Sequence, residues 1–217
     1  MPEFSWLPAL CGVAVGAAVG WGIRLLLAVL RRGAVLRTGV AEATCALVTG
    51  VGVGLAWGSP LVALVLWAGW LGVALGAVDV MHHRLPDALT LPAIPITVLL
   101  VGVTQWLSPD TGNAVTALVV AAVLSALFLL LAVLAPSGMG QGDVKLVPSL
   151  TLMTGYVSVA AALLGVLVAF VLGAAWAAVG LAARRMTMKT AIPFGPFLLA
   201  GCWLMLVFPE LATRLLR

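Results

Sequence analysis

The sequence predicts an all-α, polytopic membrane protein, an integral helical bundle of about eight transmembrane helices. Of its 217 residues, 64% are hydrophobic and only 8% are charged, whereas about a quarter of an average soluble domain is charged. A soluble chain of this size lacks the interior volume to bury so much apolar surface. Its apolar runs are long and unbroken, unlike the alternating segments of about ten residues in a membrane barrel. Composition therefore argues against a soluble enzyme, a disordered chain and a nucleic-acid-binding domain.

Each predicted helix is an apolar run close to the length of about 20 residues that crosses a bilayer. Polar segments, or turns rich in Gly and Pro, separate the runs because these residues end helices. The longest apolar stretch, 146–183, is too long for one span and is divided at 154–156, which makes the sixth helix short. The runs are residues 5–30, 41–57, 61–78, 88–107, 114–135, 146–153, 157–183 and 192–208. No repeat or linker divides them, so 1–217 is predicted to be a single domain.

The basic residues are divided unevenly between the two ends of this predicted bundle. Arg24 lies within a helix, and Arg214 and Arg217 lie at one end. Cytoplasmic loops of membrane proteins collect Lys and Arg. We therefore expect an outside N-terminus and a cytoplasmic location for the segments that hold the other eight, which are 31–40, 79–87, 136–145 and 184–191. The net charge of +4 then reports topology rather than a nucleic-acid partner.

Small residues within the apolar runs indicate packing. The three cysteines are far apart and form no C-x-x-C pair, so no zinc site or disulfide framework is expected. They are predicted to be small buried hydrophobic residues, and they are Cys11, Cys45 and Cys202. Gly12, Gly16 and Gly20 recur every fourth residue, a spacing that more often indicates close helix packing than a site.

Four acidic residues lie toward the predicted cytoplasmic end of the helices, namely Glu42, Asp79, Asp87 and Asp143. An ionisable group at membrane depth costs several kcal/mol and usually serves function. Asp143 follows three closely spaced glycines, Gly138, Gly140 and Gly142. Glycine lets the backbone approach another helix closely, so Asp143 is expected to come near an aspartate of another helix.

Two carboxylates held a few ångströms apart do not both ionise easily, and they share a proton. The ionised member can take a proton from water while the protonated member donates to a substrate carbonyl. This is the chemistry of aspartic proteases, and it needs neither a metal nor a cofactor. Among the acidic residues here, Asp79 and Asp143 lie in the most unusual local sequences.

Three segments of the chain resemble the signatures of the prepilin peptidase (type IV leader peptidase) family. The first joins Asp79 to Leu85-Pro86-Asp87 and is followed by Thr90-Leu91-Pro92. The second, residues 138–146, contains the G-x-G-D element that ends at Asp143. The third, residues 192–197, contains Pro193 and Gly195. The resemblance covers about residues 41–210.

The resemblance implies a membrane aspartic endopeptidase whose catalytic pair is Asp79 and Asp143. The other motif residues that it marks as supporting the site are Pro86, Asp87, Gly138, Gly140, Gly142, Lys145, Pro193 and Gly195. Such enzymes remove the basic leader of type IV prepilin or pseudopilin precursors in pilus assembly and protein secretion. They cut on the cytoplasmic side of the cell inner or plasma membrane, before the hydrophobic stem of the pilin.

One departure separates this chain from the longer members of that family. Those members carry a cytoplasmic domain with two C-x-x-C pairs between their first two helices, whereas here this region is only residues 31–40. The chain therefore resembles a short form. Its loss of the domain argues against zinc and against S-adenosylmethionine-dependent N-methylation, so the expected partners are the precursor protein and the bilayer, without a cofactor.

Several of these residues also have simpler interpretations. Asp87 and Asp143 precede predicted helices and would serve as N-caps. Lys145 either follows the positive-inside rule or lowers the pKa of a neighbouring aspartate. His82 and His83 are expected in a solvated loop. Gly195 is either a helix-entry turn or a residue that shapes a substrate groove.

Two alternatives for the whole chain are a small transporter and a catalytically silent relative. A transporter would more naturally place its acidic residues near the midplane, often in two related halves. Here the acidic residues cluster toward one end, and no repeat is visible. Both signature aspartates are present, which argues against a silent relative.

Overall fold

The computed structural model describes residues 4–30, 36–82, 85–134, 140–185, 187 and 193–214. Within these ranges the chain forms α-helices and no strand, so the predicted all-α class is confirmed. The helices are α1 (Trp6–Val29), α2 (Val40–Ala56), α3 (Val62–His82), α4 (Asp87–Leu107), α5 (Ala114–Leu134), α6 (Gln141–Val157), α7 (Val159–Ala182), α8 (Gly195–Val207) and α9 (Glu210–Arg214). The first eight correspond to the eight predicted runs, and α9 is a short addition.

Among the residues that the structure describes, five helices are long and apolar enough to cross a membrane, and they are α1, α3, α4, α5 and α7. In the described part of the chain, α2 and α8 are apolar but shorter. Large apolar side chains such as Trp6, Trp106 and Val133 are exposed on the outer faces of the helices. A water-facing surface of this kind would be unfavourable, whereas lipid accepts it. The chain is therefore a multi-pass membrane protein.

The boundaries of α6 differ most from the sequence prediction. This helix begins at Gln141 rather than at Leu146, so its first turn contains Asp143. It continues past the predicted break at 154–156, and Ser158 separates it from α7 by accepting a hydrogen bond from the Ala161 N–H at 3.0 Å. Gly155 does not end the helix because it packs closely against α5, where a Cβ would lie 3.0 Å from Val120 Cβ.

Helix α3 is also longer than predicted. The sequence places the end of the third helix at Val78, but α3 continues to His82. Asp79 is therefore held on a rigid helix rather than in a loop. The prediction of a solvated loop is wrong for His82, which is the exposed last residue of α3, and His83 lies outside the described residues.

Helices α1 and α2 form a closely packed hairpin. Gly12, Gly16 and Gly20 all face α2 and are buried. A Cβ on Gly16 would overlap the Cys45 carbonyl, and a Cβ on Gly20 would lie 2.6 Å from Glu42 Cα. The prediction that this glycine spacing serves helix packing is confirmed.

A partly buried ion pair joins α1 and α2 near the segment that connects them. Arg24 Nε donates to Glu42 Oε1 at 2.6 Å, and Glu42 Oε2 accepts the Gly39 N–H at 2.9 Å. Arg24, which lies within α1, and Glu42, one of the four acidic residues, therefore have structural partners. The prediction for the cysteines holds for Cys45 and Cys202, but Cys11 is exposed, because its side of α1 turns away from α2.

Helix α6 lies at the centre of the bundle and contacts α4, α5, α7 and α8. Two hydrogen bonds tie α3 to its neighbours: Trp67 Nε1 donates to Thr97 of α4 at 2.9 Å, and Trp70 Nε1 donates to Thr49 of α2 at 3.0 Å. The C-terminal end of α3 and the N-terminal ends of α4, α6 and α8 meet at one end of the bundle. That end contains all the signature residues that the structure describes.

Candidate active site

The two signature aspartates lie next to each other at this end of the bundle. Asp79 is in the last turn of α3 and Asp143 in the first turn of α6. Their exposed fractions are 5% and 8%, so both carboxyl groups are buried.

Gly195, the first residue of α8, lies against both carboxyl groups. A Cβ at this position would stand 2.9 Å from Asp79 Oδ2 and 3.5 Å from Asp143 Oδ1. The two oxygens are therefore no farther apart than the sum of these distances. The absence of a side chain leaves room for both carboxyl groups beside the helix start.

Glycines also set the position of Asp143. Gly140 is the N-cap of α6, and a Cβ on it would lie 3.0 Å from Asp143 Oδ2. A Cβ on Gly142 would lie 2.8 Å from Leu85 Cβ. The second signature can thus pack directly on the first because Gly142 lacks a side chain, and the absence of one on Gly140 leaves room for the Asp143 carboxyl group. Gly138 lies outside the described residues.

Leu85 is a site residue that the sequence analysis did not single out. It is buried, and besides its contact with Gly142 its Cδ1 would lie 3.4 Å from a Cβ on Gly195. Leu85 therefore fills the space between the starts of α6 and α8. The sequence feature that could have identified Leu85 is its position in the first signature, directly before Pro86.

Asp87 and Lys145 form an ion pair between the two signatures. Lys145 Nζ donates to Asp87 Oδ1 at 2.6 Å, and the side chains are 38% and 58% exposed, respectively. The N-cap interpretation is wrong for both aspartates it covered: Pro86 is the N-cap of α4 and Gly140 that of α6. Lys145 joins α6 to α4 through its ion pair with Asp87, which is not one of the two neighbouring buried aspartates.

The third signature forms the entry into α8. Pro193 precedes the N-cap residue Phe194, and α8 begins at Gly195 with Pro196 in its first turn. The interpretation of Gly195 as a helix-entry residue is therefore confirmed, and its contact with both carboxyl groups adds a role that its sequence context did not reveal. In the part of the chain that the structure describes, no three His, Cys, Asp or Glu side chains are grouped so that they could hold a metal ion.

The two neighbouring carboxyl groups can support acid–base chemistry. Two buried carboxyl groups at short range favour a state in which one is protonated and the other is ionised. Such a pair can remove a proton from water and donate one to a carbonyl oxygen. Both members come from helices rather than loops, so their relative position is well defined.

Comparison with known proteins identifies a family model and several relatives that match this chain. The model of the type IV leader peptidase family matches residues 66–178, just over half of the chain. This segment contains Asp79 and Asp143, while Gly195 lies beyond it. No solved structure matches the chain.

Several curated relatives are prepilin leader peptidase/N-methyltransferases. The protein of Stutzerimonas stutzeri is 29% identical over 177 residues, which are 79% of this chain and 58% of that protein. That of Pseudomonas aeruginosa is 29% identical over 161 residues, 74% of this chain and 53% of that protein. That of Pseudomonas putida is 32% identical over 181 residues, 81% of this chain and 60% of that protein.

The chain thus spans between 53% and 60% of the length of these relatives. The family match nevertheless includes both buried aspartates, most of α3 and all of α6. On this basis, the chain belongs to the type IV leader peptidase family.

Proposed function

We propose that this protein is a membrane aspartic endopeptidase that cleaves the basic leader from type IV prepilin or pseudopilin precursors. One observation carries this proposal: Asp79 and Asp143 are buried on different helices, and both carboxyl groups lie close to Gly195. Family membership and the names of the relatives support the choice of substrate.

The proposed reaction uses the two aspartates as a general base and a general acid. The ionised carboxylate takes a proton from a water molecule, whose oxygen then attacks the carbonyl carbon of the scissile peptide bond. The protonated carboxyl group donates its proton to the carbonyl oxygen, which gives a neutral tetrahedral diol. Collapse of the diol breaks the C–N bond, and the amine leaves with the proton that the pair took from water. One hydroxyl of the diol gives its proton to the other carboxylate as the new carboxyl group forms, so the pair again holds one proton.

Burial of the pair favours this reaction. Water is largely excluded around Asp79 and Asp143, and carboxyl groups interact more strongly where the local dielectric constant is low. Gly195 lacks a side chain where it lies close to the two carboxyl groups, so no side-chain atom of residue 195 occupies the space next to them. The substrate backbone needs such an opening to bring its carbonyl group between two acids.

The proposal also includes the side of the membrane on which cleavage occurs. Eight of the eleven basic residues belong to the four segments that the sequence predicts to be cytoplasmic, and two of these segments carry Asp79 and Asp143. Because such residues collect on the cytoplasmic side, the site would face the cytoplasm of the cell inner or plasma membrane. A leader with basic residues would remain on that same side.

Cleavage in membranes tests the function directly. The chain is co-expressed with a prepilin precursor from the same organism, as wild type and as the Asp79→Ala, Asp79→Asn and Asp143→Ala variants. The wild type should shorten the precursor, and each variant should lose at least about 10²–10⁴-fold in rate because acid–base catalysis supplies that factor. An amide cannot share the proton of the pair, so Asn should fail as Ala does.

Asp110→Ala provides the matched control. Asp110 is exposed in the connection between α4 and α5, at the opposite end of the bundle, and its loss should leave cleavage within twofold of wild type. Membrane insertion of every variant is verified by extraction and immunoblotting. Full cleavage by either the Asp79→Ala or the Asp143→Ala protein would contradict the proposed mechanism, and no cleavage by an inserted wild type would favour a silent relative.

A further inference from the structure

An apolar groove runs along α3 between α2 and α8, beginning beside the aspartate pair. Val80 and Pro196, the chain neighbours of Asp79 and Gly195, both line it. The groove has a volume of about 590 Å³, and its walls are almost entirely apolar. The groove therefore reaches the residues next to the candidate active site, but it has a different chemical character.

Three glycines of α3 form the floor of this groove. Gly69, Gly72 and Gly76 lie on one face of the helix, and the free space in front of them increases from Gly69 to Gly76. A Cβ on Gly69 would lie 2.5 Å from Val48 Cγ1, whereas one on Gly72 would meet only Leu199 Cβ at 3.9 Å. A Cβ on Gly76 would meet nothing within 4 Å. The groove is thus narrow at Gly69 and widens toward the aspartates.

The dimensions of the groove suit an extended or helical apolar segment rather than a small ligand. From Gly69 to Val80, α3 rises about 16 Å at 1.5 Å per residue, or about three helical turns. A glycine floor lets another helix approach closely, as small residues do in membrane helix pairs. An occupant of this groove would have one end at Val80, directly beside Asp79.

The narrow end of the groove also contains an unused hydrogen-bond donor. Trp203 Nε1 is buried there, 3.2 Å from where a Gly69 Cβ would stand, and among the described residues it has no acceptor. A buried donor without a partner is unfavourable because it has lost its hydrogen bonds to water. A hydroxyl or carbonyl oxygen of an occupant at this depth would remove that cost.

We propose that this groove binds the apolar helical segment that follows the cleavage site of the substrate. This inference rests on the proposed function, because it is the aspartates that require the scissile bond to lie at the wide end of the groove. A polypeptide leaving that point along the groove meets only apolar walls, so the part beyond the bond must be apolar. The enzyme would then recognise the hydrophobic stem as well as the leader.

Filling the groove tests this assignment. The Gly76→Leu variant projects a side chain into open space within the groove, so it avoids a clash within the protein. Two substrates are compared, a full-length prepilin precursor and a peptide of its leader that ends a few residues beyond the cleavage site. Relative to wild type, the variant should raise the KM for the precursor at least tenfold, and its loss in kcat/KM should be at least tenfold larger for the precursor than for the peptide.

Gly102→Leu is the matched control. Gly102 lies in α4, is exposed, and has nothing within 4 Å of its Cβ position, so the same change is made outside the groove. It should leave both substrates within twofold of wild type. If Gly76→Leu cleaves the precursor as well as Gly102→Leu does, the groove does not bind the stem.

Photo-crosslinking provides a second measurement that does not depend on turnover or on the Gly76 variant. A photoreactive residue replaces Val80 in the groove or Leu99 on the outer face of α4, where the native side chains are 61% and 65% exposed. The Asp79→Ala background keeps the precursor uncut. Crosslinks to the precursor stem from position 80 but not from position 99 are expected, whereas crosslinks only to lipid or to a second copy of the enzyme would overturn the proposal.

The two proposals fail in different ways. If the wild type cleaves neither substrate, the peptidase function is wrong, and the crosslinks still decide whether the stem occupies the groove. If the wild type cleaves the precursor but the stem does not crosslink from position 80, the function stands and the groove assignment is wrong.

Discussion

Two rows of glycines, one in α1 and one in α3, have opposite surroundings. Gly12, Gly16 and Gly20 are closed over by α2, so that added side chains would meet backbone atoms. Gly72 and Gly76 of α3 face the groove and have open space before them. The same residue type thus serves close packing in one helix and lines an unfilled groove in the other.

This difference shows how the bundle separates stability from function. In the α1–α2 hairpin, the glycines allow backbone contact, and the Arg24–Glu42 pair adds a charged contact at the same interface. At the start of α8, Gly195 makes room for carboxyl groups rather than for a helix. Substitutions in the α1–α2 hairpin should lower the free energy of unfolding, whereas substitutions at the start of α8 should lower the rate of cleavage.

The largest expected effect is on stability, at the α1 glycines that α2 covers. The Gly20→Val variant should lower the free energy of unfolding by about 3 kcal/mol, at the upper end of the cost of overpacking, because the obstructing atoms are backbone. Gly22→Val is its control, since Gly22 lies two residues away in the same helix with nothing within 4 Å of its Cβ position. Thermal unfolding in detergent micelles measures both, and equal losses would mean that helix propensity rather than packing is responsible.

A smaller effect is expected at Gly195, and it should appear in catalysis alone. The added methyl of the Gly195→Ala variant would lie 2.9 Å from Asp79 Oδ2, so the carboxyl group must move. We expect kcat to fall about 10–100-fold with little change in KM, a loss of about 1.4–2.7 kcal/mol in transition-state stabilisation.

Steady-state cleavage and thermal unfolding of the Gly195→Ala variant distinguish positioning from a structural role. The unfolding midpoint should stay near that of Gly102→Ala, which adds the same methyl at an open site. A kcat equal to that of wild type would show that the carboxyl groups tolerate the methyl. A large drop in the midpoint would mean that Gly195 serves the fold.

The smallest effect is expected at the ion pair between the signatures. Lys145→Ala removes an exposed contact with Asp87, and such pairs contribute about 0–1 kcal/mol. Unfolding should change by less than 1 kcal/mol, and cleavage should stay within a fewfold of wild type. If cleavage instead falls more than tenfold while stability is kept, Lys145 acts on the aspartate pair, as its other sequence interpretation suggests.

Local sequence was most informative where the signal is a long apolar run. The eight runs predicted eight helices, and the four-residue glycine spacing in α1 predicted its packing. Boundaries were less predictable where polar residues are helical. Asp79 and His82 continue α3, and Gln141 begins α6 five residues early, because contacts with other helices stabilise these turns.

The partners of individual side chains could not be read from sequence. Lys145 pairs with a residue 58 positions away, and its local context fitted a topological role equally well. The N-cap interpretation of Asp87 failed because Pro86 occupies the cap. Such outcomes depend on where α4 and α6 come together, which no local pattern specifies.

By itself, the sequence determined the all-helical membrane class and the two aspartates worth testing, because apolar length and rare acidic residues are local properties. Only the tertiary structure decided that Gly195 lies against both carboxyl groups, that Leu85 fills the space beside them, and that α3 borders an open groove. These features arise from contacts between residues far apart in the chain. Glycine shows the reason most clearly: the role of an absent side chain depends on which neighbour occupies, or leaves empty, the space it would have filled.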